Sequence, residues 1–200
     1  MNIIMTGSTS FVGAATVREL LRRGHTVTAI VRPKSSKLDT ILEGNEEALL
    51  SGRLLVIEND LSEPERLLEK VTKPQDVFCH FGWGGSGSAS RTDKALQEKN
   101  MEISLETVRT AKALGCRKFL FSGSQAEYGM HQDLITEETV CEPKSLYGEA
   151  KLAMRERGEK LCGELGLRYI HARIFSAYGP GDHPWTLVES CLDAFLNNRE

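Results

Sequence analysis

Asn2-Ile3-Ile4-Met5-Thr6-Gly7-Ser8-Thr9-Ser10-Phe11-Val12-Gly13 decides the fold. The apolar residues Ile3, Ile4 and Met5 stop at Thr6-Gly7, after which Val12, Val17, Leu20 and Leu21 recur at helical spacing until Gly24 ends the pattern. The stretch reads as strand, tight turn, helix. Thr26 to Val31 follows as a β-branched run without a charge, the pattern of a parallel strand covered on both faces, and Arg32-Pro33 terminates it.

The alternation continues outward from there. A mixed helical stretch is expected over residues 38–50, a strand over 54–57, a polar helix over 63–70 and a strand over 77–81. Leu105, Val108, Ala111 and Leu114 place a long helix over 92–114, stopped by Gly115. A strand at 119–121, a second long helix over 147–165, a strand at 169–174 and a helix over 186–196 complete the series. Six strands with helices between them, joined by right-handed crossovers, predict an α/β fold: a doubly wound parallel sheet of order 3-2-1-4-5-6, with helices on both faces. Residues 1–180 are expected to form this domain, and residues 181–200 to begin a small C-terminal lobe whose remainder is missing.

Composition narrows the partners. Two hundred residues, 40% hydrophobic and 26% charged, suffice for one domain that buries about 70% of its unfolded surface. A net charge of −3, with no Lys/Arg run longer than a pair, gives no footprint for nucleic acid or an anionic membrane. The 5 cysteines, Cys79, Cys116, Cys141, Cys162 and Cys191, are scattered without CxxC spacing, so neither a disulfide framework nor a metal site is expected. The first five residues are too short an apolar run for a signal peptide, and no stretch approaches the ~20 apolar residues of a membrane helix. A cytoplasmic protein acting on small molecules is the expectation.

A glycine turn between a first strand and its helix lets backbone N–H groups and the positive helix end approach a pyrophosphate. Here that turn runs through Gly7, Ser8, Thr9, Ser10, Phe11, Val12 and Gly13. Tyr147-Gly148-Glu149-Ala150-Lys151 has YxxxK spacing, which puts a phenol and an ammonium on one helix face. An adjacent ammonium favours phenolate and brings its pKa from about 10 toward the operating range of a general acid/base.

Together these segments resemble the extended short-chain dehydrogenases/reductases, the NAD(P)-dependent nucleotide-sugar epimerase/dehydratase family, which has a Rossmann fold. The turn resembles the family's TGxxGxxG fingerprint, with Ser10 in place of the middle glycine; the serine hydroxyl is expected to donate a compensating hydrogen bond to phosphate. Asp60-Leu61 matches the pair that meets the adenine. His80-Phe81-Gly82 resembles the segment after strand four that passes close to the cofactor, and Trp83 replaces a small residue there, walling off the sugar pocket. Ser122-Gly123-Ser124-Gln125-Ala126-Glu127-Tyr128-Gly129 resembles the family's serine-rich segment, with Ser124 at the catalytic serine's place and Ser122 near the cofactor. Asn100 matches the asparagine on the helix after strand four. Arg173-Ile174-Phe175-Ser176-Ala177-Tyr178-Gly179-Pro180-Gly181 looks like the RxxNxYGPG segment, with Ser176 replacing asparagine and Phe175 at the cofactor.

The resemblance implies a catalytic set of Ser124, Tyr147, Lys151 and Asn100, with Lys151 also holding the nicotinamide ribose. The strand that usually ends in an acid for the ribose of NAD ends Ile30-Val31-Arg32; Arg32, helped by Ser35 or Lys37, suits a 2′-phosphate, favouring NADP(H) over NAD(H). The implied reaction is hydride transfer at a sugar carbon, C4 above all, of a nucleotide-linked sugar. The 4,6-dehydratase branch carries Asp-Glu after its Ser/Thr, where this chain has Gln125-Ala126. Arg32 leans toward a 4-ketosugar reductase, with a 4-epimerase or a non-catalytic NADPH sensor as alternatives. A homodimer through the two long helices is the expected assembly.

Overall fold

The computed structural model describes residues 1–85 and 87–198. Its strands are β1 (Asn2–Thr6), β2 (Thr26–Val31), β3 (Leu54–Glu58), β4 (Val77–His80), β5 (Lys118–Ser124) and β6 (Arg168–Ile174). All pair in parallel, in the expected order β3-β2-β1-β4-β5-β6. The order reverses between β1 and β4, which opens a crevice at their C-terminal ends.

Helices α1 (Phe11–Arg22), α2 (Asp39–Leu42) and α3 (Glu46–Leu50) share one core with Ile3, Met5, Val27 and Ala29. On the opposite core Ile4, Phe78, Phe119 and Phe121 pack with Val108 of α6 (Lys94–Ala113) and Met154 of α7 (Leu146–Glu164). Ile3 and Ile4 are neighbours that go to different cores, because successive strand side chains point to opposite faces. That is why these strands read as unbroken apolar runs.

The helix expected over 38–50 is two short ones, interrupted where Gly44 takes the left-handed conformation at φ 73°. The polar stretch 63–70 starts as a 3₁₀ turn, Pro64–Arg66, before α4 (Leu67–Lys70). After the loop that follows β4 comes a one-turn helix, α5 (Ser88–Arg91), and Asp93 then caps α6 by accepting from Leu96 N at 3.1 Å. β5 runs three residues past its apolar stretch, because Ser122, Gly123 and Ser124 pair with Ala172, Arg173 and Ile174 of β6. Helix α8 (Leu187–Leu196) buries none of its residues.

Candidate active site

The turn after β1 is shaped by close approach. Gly7 has φ 69°, and a Cβ there would stand 2.7 Å from the Phe81 carbonyl carbon; a Cβ on Gly13 would collide with the Gly7 carbonyl oxygen. Ser10 caps α1: its Oγ accepts from Gly13 N at 3.1 Å and donates to Gly7 O at 2.7 Å. This corrects the expectation of a hydroxyl free to donate to phosphate, since its one proton is spent inside the turn. The geometry of a helix start leaves the amides of Phe11 and Val12 without a carbonyl partner, and these are the donors the turn presents. Ser8 is fully buried, its Oγ donating to Met5 O at 2.7 Å and Ile30 O at 3.2 Å, so it ties β1 to β2 and its side chain faces inward.

A groove of about 370 Å³ crosses the C-terminal ends of the strands. Gly7, Thr9, Ser10, Arg32, Asp60, Leu61, Phe81, Gly82 and Trp83 line it, as does Lys37. Asp60 Oδ1 accepts from Ser62 Oγ at 2.6 Å and Ser62 N at 2.9 Å; these bonds, with Lys99 and Arg32 nearby, hold its carboxyl below the usual range. A turn closed up by Gly7 and Gly13, helix-end amides and two cations form a donor set that fits a phosphate-bearing nucleotide.

At the end of β5, Ser124 caps the 3₁₀ turn Gln125–Glu127, its Oγ accepting from Ala126 N at 3.2 Å. Tyr147 lies in the first turn of α7, whose cap Ser145 accepts from Gly148 N at 3.1 Å. Burial raises the Tyr147 pKa; the nearby Ser124 hydroxyl and the Arg91 cation, 5.1 Å from the ring centre, pull against it. Lys151 is 2% exposed and its Nζ donates to Ser122 O at 2.7 Å. Burial pushes its pKa down to about 7, with the Glu127 carboxylate pulling it back up. Here the sequence expectation needs correcting: Lys151 Nζ lies 5.6 Å from the centre of the Tyr147 ring, bound to a carbonyl, and the phenol pKa is raised.

Two more expected residues take other roles. Asn100 exchanges both amide bonds with Gly84, accepting from its N at 2.9 Å and donating to its O at 2.8 Å, and so clamps the loop after β4. Phe175 is 48% exposed and lies against Tyr128, ring centres 5.9 Å apart, in a separate hollow also lined by Arg173. Both matches were of sequence position, which does not specify where a side chain points.

Glu127 is the residue the sequence reading missed. It is fully buried; Oε1 accepts from Ser124 N at 2.7 Å, and Oε2 meets Arg173 Nε at 2.8 Å and His171 Nε2 at 2.9 Å. Burial alone would raise its pKa, but His171, Arg173 and the Ser124 amide together hold it low. The S-x-x-E spacing of Ser124 and Glu127 was the available signal, a capping box that both residues complete here.

A doubly wound sheet with a glycine turn after β1, a serine at the end of β5 and YxxxK opening α7 defines an extended short-chain dehydrogenase/reductase. The chain belongs to the NAD dependent epimerase/dehydratase family, whose model matches residues 3–200. It is 29% identical over 178 residues to D-erythronate dehydrogenase of Cupriavidus necator, covering 87% of this chain and 53% of that protein. Identity is also 29% over 175 residues to dTDP-6-deoxy-L-talose 4-dehydrogenase (NAD(+)) of Aggregatibacter actinomycetemcomitans, covering 85% and 60%. Among solved structures, UDP-N-acetylglucosamine 4-epimerase from Methanobrevibacter ruminantium superimposes with a TM-score of 0.82 at 25% identity, covering all of this chain and 64% of that one. The chain thus spans between half and two thirds of the length of these relatives.

Proposed function

We propose that the chain is the dinucleotide-binding and proton-transferring part of an NAD(P)-dependent oxidoreductase acting at a sugar carbon, C4 above all, of a nucleotide-linked sugar. The observation that carries this reading is the placement of Ser124 at the end of β5 and of Tyr147 and Lys151 at the start of α7, with the Lys151 ammonium held on the Ser122 carbonyl of the same strand end. A bound nicotinamide supplies or accepts the hydride. The phenol of Tyr147 gives the proton to the ketone oxygen, or takes it from the alcohol, and Ser124 holds that oxygen by a hydrogen bond. The amides of Phe11 and Val12 would hold the pyrophosphate, and Asp60 with Leu61 the adenosine.

Arg32 and Lys37 at one side of the groove support NADP(H) over NAD(H), since no carboxylate ends β2. The same feature, with Gln125-Ala126 after Ser124, favours a 4-ketosugar reductase. A 4-epimerase is the second reading, supported by the similarity to the Methanobrevibacter epimerase. A homodimer through α6 and α7, which pack side by side, is part of the proposal; sedimentation as a monomer at micromolar concentration would remove it.

The test is turnover across a panel of nucleotide-linked sugars and ketosugars, with NADPH and NAD⁺ supplied separately. Tyr147→Phe is expected to lower kcat by about 10²–10⁴-fold while leaving cofactor binding intact. A Tyr147→Phe chain that keeps wild-type turnover sinks the reading; one that only senses NADPH would show no turnover in either form.

A further inference from the structure

Trp83 stands where a small residue is expected, and its surroundings fix it there. Lys151 Nζ lies 4.0 Å from the centre of its ring, and the indole meets Phe121 and Tyr147 edge-on, at 5.9 and 6.2 Å between ring centres. Its Nε1–H donates to Gln97 Oε1 at 3.0 Å, and the Gln97 amide donates to Ser90 O at 2.7 Å.

The backbone on either side is pinned by one chain of buried polar groups. Gly82 N donates to Thr6 Oγ1 at 3.2 Å, and Thr6 Oγ1 is 2.8 Å from His80 Nδ1. On its other side, His80 Nε2 is 3.0 Å from Ser104 Oγ, which donates to Asn100 O at 2.8 Å, and Asn100 holds both polar atoms of Gly84. The Ser104 proton is spent on Asn100, so His80 Nε2 is the donor and Nδ1 accepts from Thr6. Burial pushes the His80 pKa down to about 3, the Lys151 charge acting in the same direction, so this histidine stays neutral and the order of donors is fixed. Trp83 is therefore a wall held at both ends, and it also lines the groove.

We propose that Trp83 is a positioning residue of the proton-transfer set: its indole face and the Ser122 carbonyl together orient the buried Lys151 amine and favour its protonated form, 5.6 Å from the centre of the Tyr147 ring. The functional meaning of this rests on the oxidoreductase reading above; the contact itself does not. A desolvated cation is stabilised by an aromatic face, and an aliphatic side chain in its place removes that stabilisation while keeping the wall apolar. The other groups that bear on Lys151 are the Phe121 ring, whose centre is 4.6 Å from Nζ and which stays in place in every Trp83 variant, Glu127, which favours the ammonium, and the neutral His80; the Arg91 cation lies farther out, against the Tyr147 ring.

The experiment is a pH titration of ligand-free chain carrying ¹³C at lysine Cε, followed by NMR. The Lys151 resonance is identified by its loss in Lys151→Met. The wild-type midpoint is expected near 7, retained in Trp83→Phe and lowered by about one pH unit in Trp83→Leu. Gln97→Met, which frees the indole N–H and leaves the ring in place, is expected to give a smaller drop and serves if Trp83→Leu does not fold. A midpoint in Trp83→Leu or Gln97→Met at or above the wild-type value overturns the proposal, as does a fall in Trp83→Phe as large as in Trp83→Leu. Thermal stabilisation by NADPH or NAD⁺, measured on the same samples, reports separately on the dinucleotide reading, because the titration needs no ligand.

Discussion

Lys151 concentrates the electrostatic cost of this site. Its pKa falls from 10.5 in the unfolded chain to about 7 in the fold, so between those values the unfolded chain binds more protons and stability rises with pH. Below about 7 both states carry the charge, and the full cost of burying it is present. Lys151→Met is expected to stabilise the fold at pH about 6 by on the order of 1–3 kcal/mol, net of the lost Ser122 bond and aromatic contacts, with the gain shrinking as pH rises toward about 10. Urea unfolding at both pH values checks this; a destabilised variant at the lower pH contradicts it. The spacing of Tyr147 and Lys151 was legible in the sequence because four residues on a helix share a face. The direction of the ammonium was not, since it depends on Trp83 and Ser122, which only the folded sheet brings over that helix.

At the level of elements, the turn after β5 is organised by Glu127. Its depressed pKa means that the stability it contributes is complete above the ordinary value of 4.5 and is lost as pH falls through the folded value. Glu127→Gln leaves the half-buried Arg173 without its carboxylate and is expected to destabilise the chain by about 1.5–3 kcal/mol at neutral pH. Much less loss in urea unfolding would contradict the role given to the network. Gly123→Ala drives a methyl into His171 and Glu127, and should be comparably damaging. At the other turn, Ser10→Ala removes the α1 cap and should cost about 1 kcal/mol. Strand identities were legible because β-branched and aromatic runs stop at glycine or proline. The end of β5 was not, because Ser122, Gly123 and Ser124 have no strand preference of their own and are extended by pairing with β6.

For the whole molecule, alternation and handedness left few topologies besides the observed strand order, which places the groove where the order reverses. Residues 181–198 behave differently: α8 has a clear apolar pattern yet buries nothing, with Trp185, Leu187, Phe195 and Leu196 exposed. We propose that this groove takes a dinucleotide with its 2′-phosphate at Arg32. Calorimetric titration of NADPH and NAD⁺ into the chain tests it most directly. Saturable binding is expected, at least about tenfold tighter for NADPH, with that advantage lost in Arg32→Ser. Absence of saturable binding by either dinucleotide, with the chain folded, would contradict it.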